Sequence, residues 1–382
     1  MLQPEVVAIV KKLLKGYYSK TDVSPSRIER REFGFGSFEK KIDFRHVSFR
    51  NGIDFKRYLV ENTPAFINCS PSEYERPDAR PMENKGWLGR ELVFDLDATD
   101  LKLKCQSEHG TDWVCQECFD GIKQQALHLV EDFLVPDFGF SLEEIKVNFS
   151  GNRGYHIHVN NEEIFRLDGN ARKSISDYIT GNNIIAGSFF PTLDQRGTKV
   201  YGPKPTDFGW GGKFARSFIS ALNSGAPALQ ELGIEQSLAR KLERNKAEVI
   251  LGISNGNWGK VTIPKKEEFW NAVIKRMAVR ISDPIDAGVT NDIYHMIRLP
   301  NTIHGDTGLN GTVLDSVKDL QDFDPMSDAV VFSNGTMKVH VKKCPGFSMK
   351  GESFGPYEDK DVELPQYAAL YLLLKRVAIL KG

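Results

Sequence analysis

Cysteine is scarce in this chain of 382 residues, and three of its five cysteines fall within positions 105–118. So uneven a spread excludes a disulfide framework and suits a reducing compartment, where grouped thiols more often bind metal. The chain also lacks an apolar run long enough to span a bilayer. Its start is not that of a secretory signal, because Lys11, Lys12 and Lys15 interrupt the apolar pattern. A cytoplasmic protein is expected, with no membrane partner. Net charge is nearly absent: 50 basic residues face 51 acidic ones, a formal −1. Any site for a polyanion must therefore be local. Internal repeats and low-complexity tracts are missing too. What is present, 40% hydrophobic and 26% charged residues, is the composition of an ordinary globular protein with room for several domains or one elaborated domain.

The most informative stretch is Glu91-Leu92-Val93-Phe94-Asp95-Leu96-Asp97. Leu92, Phe94 and Leu96 alternate with Val93, Asp95 and Asp97, the period of a β-strand with one buried face. Asp95 and Asp97 then point the same way, about 6.6 Å apart along the strand, and can share divalent cations such as Mg²⁺ or Mn²⁺. Asp-x-Asp also suits a solvated strand end, so the pattern needs company. Downstream, Cys105, His109, Cys115 and Cys118 offer four soft or borderline ligands at short spacings, the set for a closed, structural Zn²⁺ site. The polar loop around them, with Ser107, Glu108, Gly110, Thr111 and Asp112, is ill suited to burying bare thiols.

Further motifs follow the same order. A helix is expected before Tyr17, and the basic stretch Arg27–Phe35 leads into strands; Arg30 or Arg31 can reach a phosphate or sit in a salt-bridged strand. A helix over 119–134 should end at Pro136. Ile145–Phe149 and Tyr155–Val159 flank Ser150-Gly151-Asn152-Arg153-Gly154, a hairpin whose glycines let backbone amides approach an anion. Arg153 adds charge and Ser150 a hydroxyl, and His156 shares a face with His158. The Lys199–Arg216 stretch mixes basic and aromatic residues, which suits either nucleic-acid stacking or a solvated appendage. Thr290 to Leu299 is expected to be a helix capped by Thr290, with Asp286 outside it and free to be a ligand. A final amphipathic helix is expected over Leu364–Ile379.

Taken together these residues resemble the catalytic small subunit of the archaeal and eukaryotic replicative primase. The likeness runs in order from about Tyr17 to Gly308. It includes Arg-Glu-Phe at 31–33, Leu-Val-Phe-Asp-Leu-Asp at 92–97, the Cys/His cluster, Ser-Gly-x-Arg-Gly-x-His at 150–156, and Asp286-x-x-Val289 followed by His295, Arg298, Pro300 and His304. The resemblance implies an α/β (α+β) primase core with mixed β-sheets, a helical insertion and a zinc knuckle. In domain terms this gives a core over 1–165 and 255–345 with a zinc excursion at about 103–120, an insertion over 166–254, and a helical tail over 346–382. It further implies Asp95, Asp97 and Asp286 as catalytic ligands for two Mg²⁺ or Mn²⁺ ions, and Ser150, Arg153, His156, Arg298 and His304, joined by Arg31, around the triphosphate of a nucleotide. Partners implied are a large subunit carrying an iron–sulfur cluster, single-stranded DNA and nucleoside triphosphates. Asn152 and Asp306 depart from the pattern, since a basic residue is expected at one or both. The activity implied is synthesis of short RNA, or DNA, primers in replication. A primase-like polymerase of DNA repair, a metal-dependent nuclease or phosphodiesterase, and a non-catalytic zinc module that binds nucleic acid are the competing readings.

Overall fold

Short apolar strands and a few buried helices build the structure, a computed structural model that describes residues 2–182, 184–189, 201–261 and 266–381. Lys199, at the start of the basic and aromatic stretch, lies outside the described residues. The chain divides into two units, one of Met1–Leu127, Ser141–Lys173 and Ile285–Gly382, the other of His128–Phe140 and Ser174–Pro284.

In the first unit, β1 (Phe33–Gly36), β2 (Phe44–Val47) and β3 (Phe66–Cys69) pair antiparallel. Phe33 and Phe35 are buried, and Phe33 packs 4.7 Å from Phe55, a core residue of the helix Gly52–Asn62. A small hairpin, β4 (Ser72–Tyr74) and β5 (Trp87–Arg90), leads into β6 (Leu92–Asp97). β6 forms a second antiparallel sheet with β8 (Gly154–Val159), which also pairs with β7 (Ile145–Phe149). Leu92, Phe94 and Leu96 are fully buried, as the alternation demands, but so is Val93. Val289 and Ile297 cover it, so only the Asp95–Asp97 end of that face opens.

The segment after Asp286 differs from expectation. The helix is Ala287–Asn291, and Asp286 is its N-cap, accepting from the amides of Gly288 (2.8 Å) and Val289 (3.4 Å). An aspartate caps better than a threonine, and Thr290 instead donates its hydroxyl to the Val93 carbonyl at 2.9 Å. Ile297–Arg298 is a strand, β9, drawn straight by pairing with Asn68 and Cys69 of β3. Partners decided this segment where local pattern alone favoured a helix.

The C-terminal region is not a helical tail. β10 (Thr336–Cys344) pairs with β13 (Tyr357–Pro365) and β14 (Ala378–Leu380), and β11 (Phe347–Met349) with β12 (Glu352–Phe354). Its helix spans only Gln366–Leu374, and every side chain from Tyr367 to Leu374 is buried. A helix apolar all round belongs inside a core, not on an amphipathic surface.

The second unit is helical, and it extends past the expected 166–254. Trp258 and Trp270 stand 5.3 Å apart and pack on Phe218 of the helix Gly209–Ser224, which ties the chain as far as Pro284 to this core. Asp137 draws in the 128–140 segment by accepting from Tyr178, Lys213 and the Gly209 amide. Among the described residues no helix is long and apolar enough to cross a membrane.

Truncation of Leu372, fully buried in the C-terminal helix, is expected to lower unfolding stability by about 2–5 kcal/mol. Urea unfolding of Leu372→Ala, followed by circular dichroism, checks this.

Candidate functional site

The register of β6 against β8 sets Asp95 opposite His156 and Asp97 opposite Gly154. His156 Nε2 lies 3.5 Å from Asp95 Oδ1, while Asn148 of β7 donates to His156 Nδ1 at 3.3 Å. The imidazole proton therefore sits on Nε2, toward the carboxylate. Burial holds His156 well below the usual histidine range, so it acts as a neutral donor. At the end of β6, Asp97 accepts from Arg153 Nε at 2.8 Å and from the amide and hydroxyl of Thr99, each at 2.9 Å.

Asp286 joins them from far along the chain, its amide donating to the Asp95 carbonyl at 3.0 Å. The consequence is electrostatic. Burial, then the charges of Asp97, Asp286 and Asp100, push the Asp95 carboxyl up to about 7 against the pull of Lys41. Three acids crowded in this way are suited to hold divalent cations. The carboxylates are turned to separate partners: Asp97 to Arg153 and Thr99, Asp286 to its helix amides.

Opposite the acids, the turn between β7 and β8 is drawn tight by Ser150, whose hydroxyl accepts from the amides of Gly154 (3.2 Å) and Asn152 (3.4 Å). Gly151 has φ +80°, and a Cβ there would stand 3.0 Å from that of His304. Thr307 donates its hydroxyl to the Gly151 carbonyl at 2.5 Å, so a glycine lets the His304 loop lie against the turn. His304 Nδ1 accepts from the Asp306 amide at 3.1 Å, leaving the proton on Nε2, and burial keeps this ring neutral too. Arg298 is 8% exposed, its guanidinium 5.3 Å from the centre of the Phe66 ring, and its Nη1 has no hydrogen-bond partner. A buried, unpaired guanidinium is costly, and desolvation brings Arg298 down to about 10. An anion is the partner such a group lacks.

Arg31 is placed elsewhere. It is buried and occupied, donating to Glu91 Oε1 (2.7 Å) and to the carbonyls of Ser70 (3.2 Å) and Pro71 (2.7 Å). Glu91 also pairs with His158 at 3.0 Å, at the end of β8 remote from the turn. Arg31 is thus held by protein partners, and it lines one cavity together with Asn148, His158 and Arg298. Two cations outside the motifs also lie near the acids. Lys41, in the loop joining β1 to β2, acts on Asp95 and on His304. Lys375 follows the C-terminal helix and donates to Asn152 Oδ1 at 3.2 Å. Neither lies in a motif, so no local signal marked them.

Cys105, His109, Cys115 and Cys118 bring their ligand atoms within 4.8 Å of one another, the one such converging group among the described residues. The separations are 3.5 Å (Cys105–Cys118), 3.8 Å (Cys115–Cys118) and 3.7 Å (Cys118 to His109 Nε2). Tetrahedral Zn–S bonds of about 2.3 Å imply edges of roughly 3.8 Å, so the group fits a metal such as zinc. His109 Nδ1 lies 2.7 Å from the Gly110 carbonyl; donating there, it frees Nε2 to ligate.

Three acids gathered from distant positions lie with buried cationic and hydrogen-bonding groups around one strand end, a set whose chemistry suits phosphates. A family model described as the DNA primase small subunit matches residues 94–316, and the chain belongs to that family. It is 33% identical to the DNA primase small subunit of Methanothrix thermoacetophila over 95% of both chains. It is 34% identical to that of Archaeoglobus fulgidus over 96% of both, and 30% identical to that of Thermoplasma volcanium over 95% of both.

Two outcomes are expected here. Cys115→Ser should lower bound metal, measured by atomic absorption, and lower the thermal midpoint, because a site closed by metal stabilises its loop. The second concerns Glu91. Burial would raise its pKa, but the His158 hydrogen bond and the Arg31 guanidinium hold it well below the usual carboxylate range. With the folded pKa below the unfolded value of about 4.3, the network's stabilisation is complete above that pH and is lost as pH falls. Glu91→Gln should be about 3 kcal/mol less stable near neutrality and show a flatter decline on acidification, measured by denaturant unfolding from about pH 7 to about pH 3.

Proposed function

We propose that this chain is the catalytic subunit of a heterodimeric primase, making short RNA primers on single-stranded DNA from nucleoside triphosphates. The supporting observation is that Asp97 and Asp286 crowd Asp95, whose partner His156 at 3.5 Å feels in turn the charge of the buried Arg298 guanidinium, with its Nη1 unpartnered. Asp95, Asp97 and Asp286 would hold two Mg²⁺ or Mn²⁺ ions, which supply activation of the attacking 3′-hydroxyl and charge relief on the leaving pyrophosphate.

The chain's own residues position the reactants. Arg298 and Arg153 bind the β- and γ-phosphates, with Arg153 also steadying Asp97 through their ion pair. Ser150 shapes the turn so that its backbone faces the phosphates. His156 and His304, kept neutral by burial, donate Nε2–H hydrogen bonds and add no charge. No side chain serves as a covalent nucleophile; catalysis is positioning and electrostatics. The Cys/His cluster would hold Zn²⁺ as scaffolding. The name small subunit carried by the relatives supports a large-subunit partner, here one bearing an iron–sulfur cluster, and work at the replication fork in the cytoplasm.

The test incubates the chain with unprimed single-stranded DNA, labelled ribonucleotides and Mg²⁺ or Mn²⁺. New oligonucleotides and pyrophosphate are expected from the wild type. Asp95→Asn should lose at least about a thousandfold in rate, of the order seen when a group stabilising the transition state is removed. It should also melt no lower than the wild type in chelator, since one of three crowded negative charges is gone. Retained synthesis in Asp95→Asn, or degradation of the DNA in place of synthesis, overturns the reading.

A further inference from the structure

We propose that Lys375, at the C-terminal end of the buried helix, is a nucleotide-binding residue that contacts the terminal phosphates of the incoming triphosphate. The proposal rests on the reading of the site given above. Its starting point is a shortage of charge. The turn 150–154 holds one cation, Arg153, and that cation is paired with Asp97 at 2.8 Å. Position 152 is a neutral asparagine and position 306 an aspartate, so neither adds positive charge. With Arg153 shared with Asp97, Arg298 and Lys41 would be left to balance most of a polyanion's charge.

Lys375 makes up the difference from an unrelated part of the chain. Its Nζ donates to Asn152 Oδ1 at 3.2 Å and to the Asp112 carbonyl at 3.1 Å. Both acceptors are uncharged, and among the described residues no carboxylate lies within ion-pair distance of it. The ammonium nevertheless sits where the site's charges meet: Arg153, Asp306, Asp112 and Asp97 all act on it, and it acts in turn on His304. It is aimed there by a rigid support, because Tyr371, Leu372, Leu373 and Leu374 just before it are buried and its Nζ lies 5.8 Å from the centre of the Tyr371 ring. Burial, and then the charge of Arg153, bring Lys375 down to about 8 against the pull of Asp306, Asp112 and Asp97. The long, freely rotating stem lets it leave Asn152 for a phosphate oxygen without moving the helix.

A purely structural role, a strap tying the helix to Asn152 and the Asp112 carbonyl, is the rival explanation, and Lys375→Gln separates the two. Glutamine keeps a donor for those acceptors and removes the charge. Binding of a fluorescent ATP analogue and of the matching monophosphate analogue is measured on the full chain, along with KM and kcat for nucleotide addition to a primed template and the thermal midpoint. Expected for Lys375→Gln are a roughly tenfold weaker triphosphate affinity and a matching rise in KM, equivalent to about 1.4 kcal/mol. The kcat should stay within about twofold, and monophosphate binding and the thermal midpoint should be unchanged. Lys375→Arg should stay near wild type, and Lys375→Gln/Asn152→Arg should recover most of the loss. Undiminished triphosphate affinity in Lys375→Gln, or an equal loss in Lys375→Arg, overturns the proposal. Arg298→Ala is the control for the site itself: if it binds the triphosphate analogue as well as the wild type does, the site reading fails and this inference falls with it, whereas a loss in Arg298→Ala without one in Lys375→Gln sinks only the role of Lys375.

Discussion

The pairing of β6 with β8 is the constraint on which the candidate site depends. One register places Asp95 across from His156 and Asp97 across from the glycine that closes the basic turn. A slip of one residue would exchange the faces of β6, turning Leu92, Phe94 and Leu96 outward and both acids into the core. The core and the site therefore protect each other's geometry. Gly154 adds a steric lock, since a Cβ there would stand 2.0 Å from the Leu96 carbonyl oxygen.

Around that register, the local rules that hold elsewhere are set aside. Acids are crowded where burial, and then repulsion, raises the pKa of Asp95, and a guanidinium is buried without a full set of partners. Such departures are expected where a fold serves a ligand. Glu32 shows the contrast: fully buried, it is met by Nε and Nη2 of Arg45 at 2.8 and 3.0 Å and by the His46 amide at 3.0 Å. Charge buried for structure is satisfied by the protein, whereas charge at the candidate site is left short.

Legibility followed range. β6, β7 and β8 could be read from alternation, because each buries a continuous face and the turn between β7 and β8 announces itself with two glycines. The Cys/His cluster was equally plain, its ligands lying within fourteen residues. The segment after Asp286 was not. Its apolar spacing suits a helix, yet two of its residues become β9, a decision taken by Asn68 and Cys69 more than 200 positions away. Arg31 was open for a similar reason: an arginine in a basic run suits a phosphate or a salt bridge, and its pairing with Glu91 is seen only once the chain is folded. The C-terminal helix was visible as apolar, but its burial on every side, and the strands before and after it, depended on β10.

By itself the sequence determined β6, β7 and β8, the metal-ligand cluster, the basic turn and the family likeness, since each is encoded in residues close enough to impose a period or a spacing. Only the tertiary structure decided which distant groups share one place: Asp286 with Asp95, Arg298 with Phe66, and Lys375 with Asn152. The physical reason is that charges act through space. A lone lysine or aspartate carries no local pattern, and its role is set by whatever the packed core brings to within a few ångströms of it.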